Sequence, residues 1–300
     1  MNILVTGASG FIGNHLARKL CESHAVTGLY KDSPPRSAIW HSMQGDIVNC
    51  ARMLEIIVNR EIDQVYHLAA RSVVRNCCRD PLGCFTTNIL GTATILEACR
   101  LSKRVKGILC MESDKSYGDG PVPYKEDQAL QPGGVYEASK ASAGHIAHSY
   151  FANYQLPVFT VRAANVYGPN DPNQSRIIPN TIRRIRNGQP PQVTFGANAF
   201  MREFIHIEDF IHIITKLMKI GPWGEAINVG TGEIATISSV VKKICREMAV
   251  AYEEEEWDEP GDLKEIPVQQ LDLTKLCRML AGLQTPISLT EGLRRTVECT

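Results

Sequence analysis

The chain lacks an excess charge of either sign. It carries 32 basic and 32 acidic side chains, so its formal net charge is zero. That removes the electrostatic footprint of a nucleic-acid binder or of a protein held on an anionic membrane. No apolar run approaches the roughly 18 residues needed to cross a bilayer. Residues 1–7 show no basic region ahead of a longer apolar one, so no signal peptide is expected. No repeat with a period of about 20–50 residues and no low-complexity segment is visible. Ten cysteines are present without a C-x-x-C pair, and two of them, Cys77 and Cys78, are adjacent. This is not zinc spacing, and a chain of 300 residues has no need of a disulfide framework. Reduced thiols in a cytoplasmic protein are the expectation. His145 and His148 have no evident third ligand, so they are expected to pack in a core or interface rather than to hold a metal.

What is present reads as alternating strand and helix. Residues 2–6 predict a short apolar strand. Gly7, Gly10 and Gly13 follow as G-x-x-G-x-x-G, and a helical pattern continues through Ile12, Leu16, Ala17 and Leu20. Glycines at such a junction let the backbone turn tightly and approach a pyrophosphate, which a helix N-terminus attracts. A plain strand-to-helix turn needs one glycine rather than three. A dinucleotide-binding loop formed by Gly7, Ser9, Gly10, Phe11, Ile12 and Gly13 is therefore expected. The second strand is predicted at 25–30. An acid at its end is the usual mark of an NAD ribose contact, but Tyr30 stands there, followed by Lys31 and, five residues further on, Arg36. In one reading Lys31 and Arg36 meet a 2′-phosphate, which slightly favours NADP over NAD. In the other they are solvated loop cations. Asp46 and Ile47 are placed near the adenine, although an Asp in a loop is as often a helix cap.

Residues 49–60 read as a helix and 64–68 as a third strand, ending in Leu68, Ala69 and Ala70, small enough for a cofactor to pass closely. A helix over 80–100 has Pro81 in its first turn. A fourth strand over 105–111, a Pro/Gly-rich loop over 118–134, a helix over 135–154 and a fifth strand over 158–163 complete the alternation. Beyond Asn165 the pattern is irregular. Helices are predicted at 177–187, 208–220 and 237–248, and strands at 202–207 and 226–229. The acidic run at 253–256 reads as solvated surface. The expected architecture is α/β. A Rossmann-type doubly wound parallel sheet occupies 1–164 with returns near 202–230, and a smaller, interleaved C-terminal substrate domain occupies 165–300.

The densest chemistry lies at 111–140. The fourth strand runs out into Glu112, Ser113, Asp114 and Lys115, at the end where open α/β sheets place their reactive groups. Tyr136 and Lys140 are four apart and share one helical face. An ammonium beside a phenol favours the phenolate, which suits Tyr136 to taking a proton from an alcohol. Strand alternation points Glu112 away from Ser113. The bland alternative for Asp114 and Lys115 is a surface pair in a loop.

Several landmarks now stand in order: Thr6-Gly7-Ala8-Ser9-Gly10-Phe11-Ile12-Gly13, His67-Leu68-Ala69-Ala70, Tyr136-x-x-x-Lys140, Asn165-Val166-Tyr167-Gly168-Pro169, Arg202-Glu203-Phe204-Ile205-His206, Asn228-Val229-Gly230-Thr231-Gly232 and Glu291-Gly292-Leu293. Together they resemble the extended short-chain dehydrogenase/reductase family of nucleotide-sugar epimerases and dehydratases over nearly the whole chain. Ser113-Asp114-Lys115-Ser116-Tyr117 is similar to the Asp-Lys type of 4,6-dehydratase, and segments 28–35, 70–80, 162–166 and 176–179 are similar to CDP-glucose 4,6-dehydratases. GDP-mannose 4,6-dehydratases resemble the chain at Lys31. Two positions depart from the pattern. Glu112 stands where a small residue is usual, and Glu259 where many relatives carry Arg near the nucleotide, which leaves the nucleobase open.

The resemblance implies a nucleotide-diphosphate sugar as substrate and a tightly bound NADP or NAD regenerated in each turnover. It implies that Tyr136 removes the 4-hydroxyl proton, Lys140 holds the ribose, Ser113 bonds the 4-oxygen, Lys115 removes the C5 proton and Asp114 protonates the departing 6-hydroxyl. Asn165, Arg176 and Arg202 are expected at the diphosphate, and Arg183 on the solvent face of its helix. Helices near 80–100 and 135–154 are expected to pair across a homodimer, alone or within a homotetramer. A 4-epimerase would use the same Tyr136 and Lys140 without needing Asp114 and Lys115. A non-catalytic dinucleotide-binding scaffold would need neither pair.

Overall fold

The computed structural model describes residues 1–32, 34, 38–194, 199–252, 255–257, 265–282 and 284–299. The strands are β1 (Asn2–Thr6), β2 (Ala25–Tyr30), β3 (His41–Gln44), β4 (Gln64–His67), β5 (Gly107–Met111), β6 (Val158–Ala163), β7 (Asn165–Tyr167), β8 (Gln192–Thr194), β9 (Met201–His206), β10 (Ala226–Val229), β11 (Ile234–Thr236) and β12 (Glu255–Trp257). The helices are α1 (Phe11–Cys21), α2 (Cys50–Asn59), α3 (Val74–Arg79), α4 (Pro81–Phe85), α5 (Gly91–Ser102), α6 (Val135–Tyr154), α7 (Ile177–Arg186), α8 (Ile207–Ile220), α9 (Ile237–Glu247), α10 (Thr274–Met279) and α11 (Leu289–Cys299). A π turn, Thr86–Leu90, joins α4 to α5, and a 3-10 turn, Asp114–Tyr117, follows β5.

The chain groups into two compact units. One comprises Met1–Gly118, Gln128–Ala163 and Ile211–Ile227; the other comprises Asp119–Asp127, Ala164–Phe210 and Asn228–Thr300. The first is built on a seven-stranded sheet of order β10-β6-β5-β4-β1-β2-β3, flanked by helices. Its pairings from β3 through to β6 are parallel. This is the Rossmann-type doubly wound sheet that the alternation predicts. Strands covered on both faces need apolar residues on both. Accordingly Ile3 to Thr6 are buried throughout β1 and all six residues of β6 are buried.

Three features of the first unit escape the sequence pattern. β3 has the sequence HSMQ, with neither alternation nor an apolar run. It is an edge strand, paired with β2 from Thr27↔His41 to Tyr30↔Gln44, so that pairing rather than its own composition makes it a strand. The helix expected over 80–100 is interrupted. Asp80 caps α4 by accepting from the Gly83 N–H at 3.0 Å, and the backbone widens into the π turn before α5 begins at Gly91. α3 ahead of it was not expected either.

The second unit holds a three-stranded sheet of order β11-β9-β7, in which β9 runs parallel to β7 and antiparallel to β11. Tyr167, Ile178, Ile182, Phe204, Val240, Ile244 and Leu293 form its core, beneath α7, α9 and α11. Residues 119–127 join this unit through backbone bonds. The Tyr124 N–H donates to Gln270 O at 2.7 Å, and the Asp272 N–H donates to Tyr124 O at 2.8 Å. Glu203 is fully buried, and its carboxylate is satisfied locally by the N–H groups of Thr231, Gly232 and Leu271 at 2.5–2.8 Å. Of the acidic run, Glu253 and Glu254 lie outside the described residues, and Glu255 and Glu256 belong to β12. Among the described residues no helix is long and apolar enough to cross a membrane, and all ten cysteines are free thiols.

Thr6 ties the ends of β1 and β4 together. Its hydroxyl is buried, bonds His67 Nδ1 at 2.8 Å and accepts from the N–H groups of Leu68 and Ala69 at 3.2 and 3.1 Å. Replacing it with the near-isosteric valine strands these groups. Thr6→Val is expected to lower unfolding free energy by about 1–3 kcal/mol, measured by urea denaturation. Unchanged stability would show that the hydroxyl contributes nothing net.

Candidate active site

The glycine loop is shaped by close backbone approach. Gly7 has φ +72°, and a Cβ there would stand 2.9 Å from the Ala69 nitrogen. A Cβ at Gly13 would strike the Gly7 carbonyl. Both positions therefore require glycine. The Gly10 N-cap gives α1 no side-chain cap, and the first turn of α1 carries no acid. The N–H groups at the start of this 11-residue helix thus face no side-chain acceptor of their own helix, which is the chemistry a pyrophosphate needs. The site fits a dinucleotide. Ser9 and Gly10 are exposed, Phe11 and Gly13 buried, and Ile12 half-buried. Leu68, Ala69 and Ala70 leave β4 half-buried, beside Gly7.

At the end of β2, Lys31 is not a free loop cation. Its ammonium pairs with Asp46 at 2.8 Å. Asp46 also accepts from the Val48 N–H at 3.2 Å. Burial would raise the Asp46 pKa, but the bonds from Lys31 and Val48 outweigh it and hold the pKa below the usual carboxylate value. Asp46 is not the helix cap. Asn49 caps α2 by accepting from the Arg52 N–H at 3.0 Å. Ile47 is buried against Gly91. Arg36 lies outside the described residues.

β5 delivers Met111, and the 3-10 turn follows at once. Ser113 is the turn's N-cap; its oxygen accepts from the Lys115 N–H at 3.2 Å, and its hydroxyl donates to Asp114 Oδ1 at 3.2 Å. Asp114 is only 4% exposed, whereas Lys115 is half-buried. The surface-pair alternative for Asp114 is thereby excluded. α6 packs against this turn and against β5. It can come close because its inner face is lined by Ser139, Ala141, Ala143, Gly144 and Ala147. Tyr136 is buried with Cys77 and Cys84. Lys140 is 5% exposed, and its ammonium donates to Met111 O at 2.7 Å. Burial pushes the Lys140 pKa down to about 8, with the Glu112 carboxylate opposing the fall. The structure thus gathers Ser113, Asp114, Lys115, Tyr136 and Lys140 where the strand end meets α6.

In the second unit, Asn165 donates to Glu203 O at 3.0 Å. Arg202 is buried; one guanidinium nitrogen bonds Met201 O and Pro267 O, and the other bonds Glu265 at 2.5 Å. Arg176 pairs with Asp171 at 2.8 Å. Arg183 is exposed and bonds Asn180, on the solvent face as expected. Glu259 lies outside the described residues.

Sequence reasoning missed three contributors. Thr6 is the first. Asn88, inside the π turn, is the second. It accepts from the Arg71 N–H at 2.8 Å, and its amide donates to Arg71 O at 3.0 Å and to Ser139 Oγ at 2.8 Å. This fastens the segment after Ala70 to α6. An Asn within an apolar helical stretch was the available signal. The third is the pairing of Glu112 with Arg162 at 3.0 Å. A lone acid at a small-residue position marked only half of it. His145 and His148 are exposed, not core residues, because both lie on the outer side of α6. Among the described residues no cluster of His, Cys, Asp or Glu is arranged to hold a metal.

Comparison with known proteins agrees with this geometry. Residues 3–230 match the NAD dependent epimerase/dehydratase family. A trifunctional UDP-glucose 4,6-dehydratase/UDP-4-keto-6-deoxy-D-glucose 3,5-epimerase/UDP-4-keto-L-rhamnose-reductase from Arabidopsis thaliana is 30% identical over 262 residues, covering 82% of this chain and 39% of that protein. The chain thus spans about two fifths of that relative. A UDP-glucose 4-epimerase from Mycolicibacterium smegmatis is 30% identical over 313 residues, covering 99% of this chain and 98% of the relative. The crystal structure of a dTDP-glucose 4,6-dehydratase from Streptomyces venezuelae with NAD bound superposes with a TM-score of 0.89 at 26% identity, covering 99% of this chain and 96% of that one. Matched over residues 3–230 and 30% identical to a relative across 99% of its own length, the chain belongs to the NAD dependent epimerase/dehydratase family.

Proposed function

We propose that the protein is a nucleotide-sugar 4,6-dehydratase, a hydro-lyase that makes a 4-keto-6-deoxy-hexose nucleotide with a bound NADP or NAD. The observation that supports this reading is the turn after β5. Its Asp114 is buried and bonded to Ser113, with Lys115 one residue further on. Redox chemistry at C4 alone has no use for a buried acid there, whereas loss of water from C6 needs one. A nicotinamide cofactor held by the Gly7–Gly13 loop and Lys140 would supply the hydride chemistry that oxidises C4 and later reduces C6. Tyr136 accepts the proton of the 4-hydroxyl, while Lys140 favours its phenolate and holds the cofactor ribose. Ser113 bonds the 4-oxygen. The C4 ketone acidifies the C5 proton, which Lys115 removes and later returns, and Asp114 protonates the departing 6-hydroxyl so that it leaves as water. Residues 1–164 serve mainly the cofactor, and 165–300 mainly the nucleotide sugar, with Asn165, Arg176 and Arg202 at the diphosphate. Lys31 directly follows β2, where an NAD-selective acid would stand, which supports NADP.

A second reading is a nucleotide-sugar 4-epimerase, favoured by the full-length likeness to a UDP-glucose 4-epimerase. Incubation with UDP-, dTDP-, CDP- and GDP-hexoses separates the two. A 4-keto-6-deoxy product that absorbs near-ultraviolet light in alkali is expected, and formation of a C4 epimer alone would sink the dehydratase reading. Mass spectrometry of copurifying nucleotides should find NADP; NAD alone would overturn that preference.

The roles within the turn are separable. Lys115→Ala should retain hydride transfer at C4 while 6-deoxy product falls at least about 100-fold. Full turnover by this variant would refute the role given to Lys115. Tyr136→Phe should lose both steps, and a variant with every activity intact would favour a scaffold.

Pairing of the α5 and α6 regions in a homodimer is supported by the exposed apolar side chains Leu90, Leu101 and Tyr154. Sedimentation as a monomer at micromolar concentration would exclude it.

A further inference from the structure

The face of α6 that carries Tyr136 and Lys140 continues one turn on to Gly144, and there it meets a carboxylate. Glu112 is 2% exposed. Its Oε2 accepts from Arg162 Nε at 3.0 Å, and its Oε1 has no hydrogen-bond partner among the described residues. A methyl group at 144 would occupy the place of this carboxylate. Arg162 in turn donates to the Tyr117 hydroxyl at 3.1 Å and lies over the Tyr117 ring at 4.9 Å. Burial works against the Arg162 cation, but Glu112 and Tyr117 outweigh it and hold its pKa above the ordinary value.

A buried carboxylate–guanidinium pair is a poor device for stability, because apolar residues of similar volume often do as well or better. A carboxylate left half-satisfied is worse still. Its use lies in what it faces. Lys140 donates to the carbonyl of Met111, the residue directly before Glu112. The titratable groups around Lys140 include Cys110 from β5, Glu112 directly after that strand, Cys84 from α4, Cys77 from α3 and His67 from β4. Burial pushes the Cys77 and Cys110 thiols up to about 12, so both are neutral. Burial, and then Lys140 itself, push His67 down to about 3, so it too is neutral. Among these groups Glu112 supplies the counter-charge.

We propose that Glu112, anchored by Arg162 and admitted by Gly144, is a positioning residue that keeps the Lys140 ammonium charged on the Met111 carbonyl behind Tyr136. The proposal rests on the dehydratase reading only for what Tyr136 then does; the charge state of Lys140 is a property of the protein alone.

The sign follows from the charges. The Lys140 pKa is already depressed, so its cation is lost as pH rises through about 8, and with it the support for the Tyr136 phenolate. Removing the carboxylate moves that loss to lower pH. The test uses protein labelled with [15N]lysine, with the Lys140 Nζ resonance assigned by its absence from Lys140→Met. In Glu112→Gln the Lys140 titration midpoint should fall by about one pH unit. The alkaline limb of cofactor reduction by sugar nucleotide should fall with it. Glu112→Gln takes the carboxylate from the buried Arg162 guanidinium and is expected to melt early. The double variant Glu112→Met/Arg162→Met replaces the pair by apolar volume and should recover the melting temperature without recovering the midpoint. A double variant with both the midpoint and the alkaline limb at their wild-type values would overturn the proposal and leave Glu112 a packing residue. Absence of any dehydratase activity would remove the kinetic limb but not the lysine titration, so the two failures are distinguishable.

Discussion

An ammonium group taken out of water is costly unless its charge is answered within the protein. Lys140 is taken out almost completely, and the first unit is arranged around that fact. Its ammonium reaches Met111 O because α6 lies close to β5, and α6 lies close because Gly144 and three alanines line its inner face. Glu112 uses the space at Gly144. The Gly7 loop and the 3-10 turn both sit at strand ends of the sheet that supports Lys140.

A straight helix through 80–100 would run its hydrogen-bond ladder unbroken past Asn88. The π turn instead sets Asn88 where one side chain ties Arg71 and Ser139 together. A π turn is an expensive interruption and tends to mark function. Here it connects the segment after β4, which lies against the glycine loop, to the helix that carries Tyr136 and Lys140.

The reading as a dehydratase and the reading as an epimerase share most of this machinery, and relatives of both kinds stand at similar identity. What separates them is local. The turn after β5 buries an acid and presents an amine, and the proposed loss of water would use both. That difference amounts to two side chains, which is why full-length likeness leaves the choice to their chemistry.

Much of this was legible in the chain. Period and punctuation placed α6 and β6 at their observed bounds, and three glycines between strand and helix marked the dinucleotide loop. Local spacing set these features, since helix and strand periods and the need for φ > 0 act over a few residues. Tyr136 and Lys140 were likewise legible as a four-residue helical pair. β3 was not, because an edge strand of sequence HSMQ exists only through its pairing with β2. Nor was the partner of Lys31. Asp46 lies fifteen residues away, and only the fold made it an ion-pair partner instead of the cap of α2. Glu112 is the sharpest case. Alternation showed that it turns from Ser113, but not that Arg162, fifty residues on, waits to receive it beside Lys140. The sequence by itself determined which local elements form and which reactive groups they carry. Tertiary structure decided which charges are buried together, because burial and pairing depend on residues distant in the chain and leave no period in it.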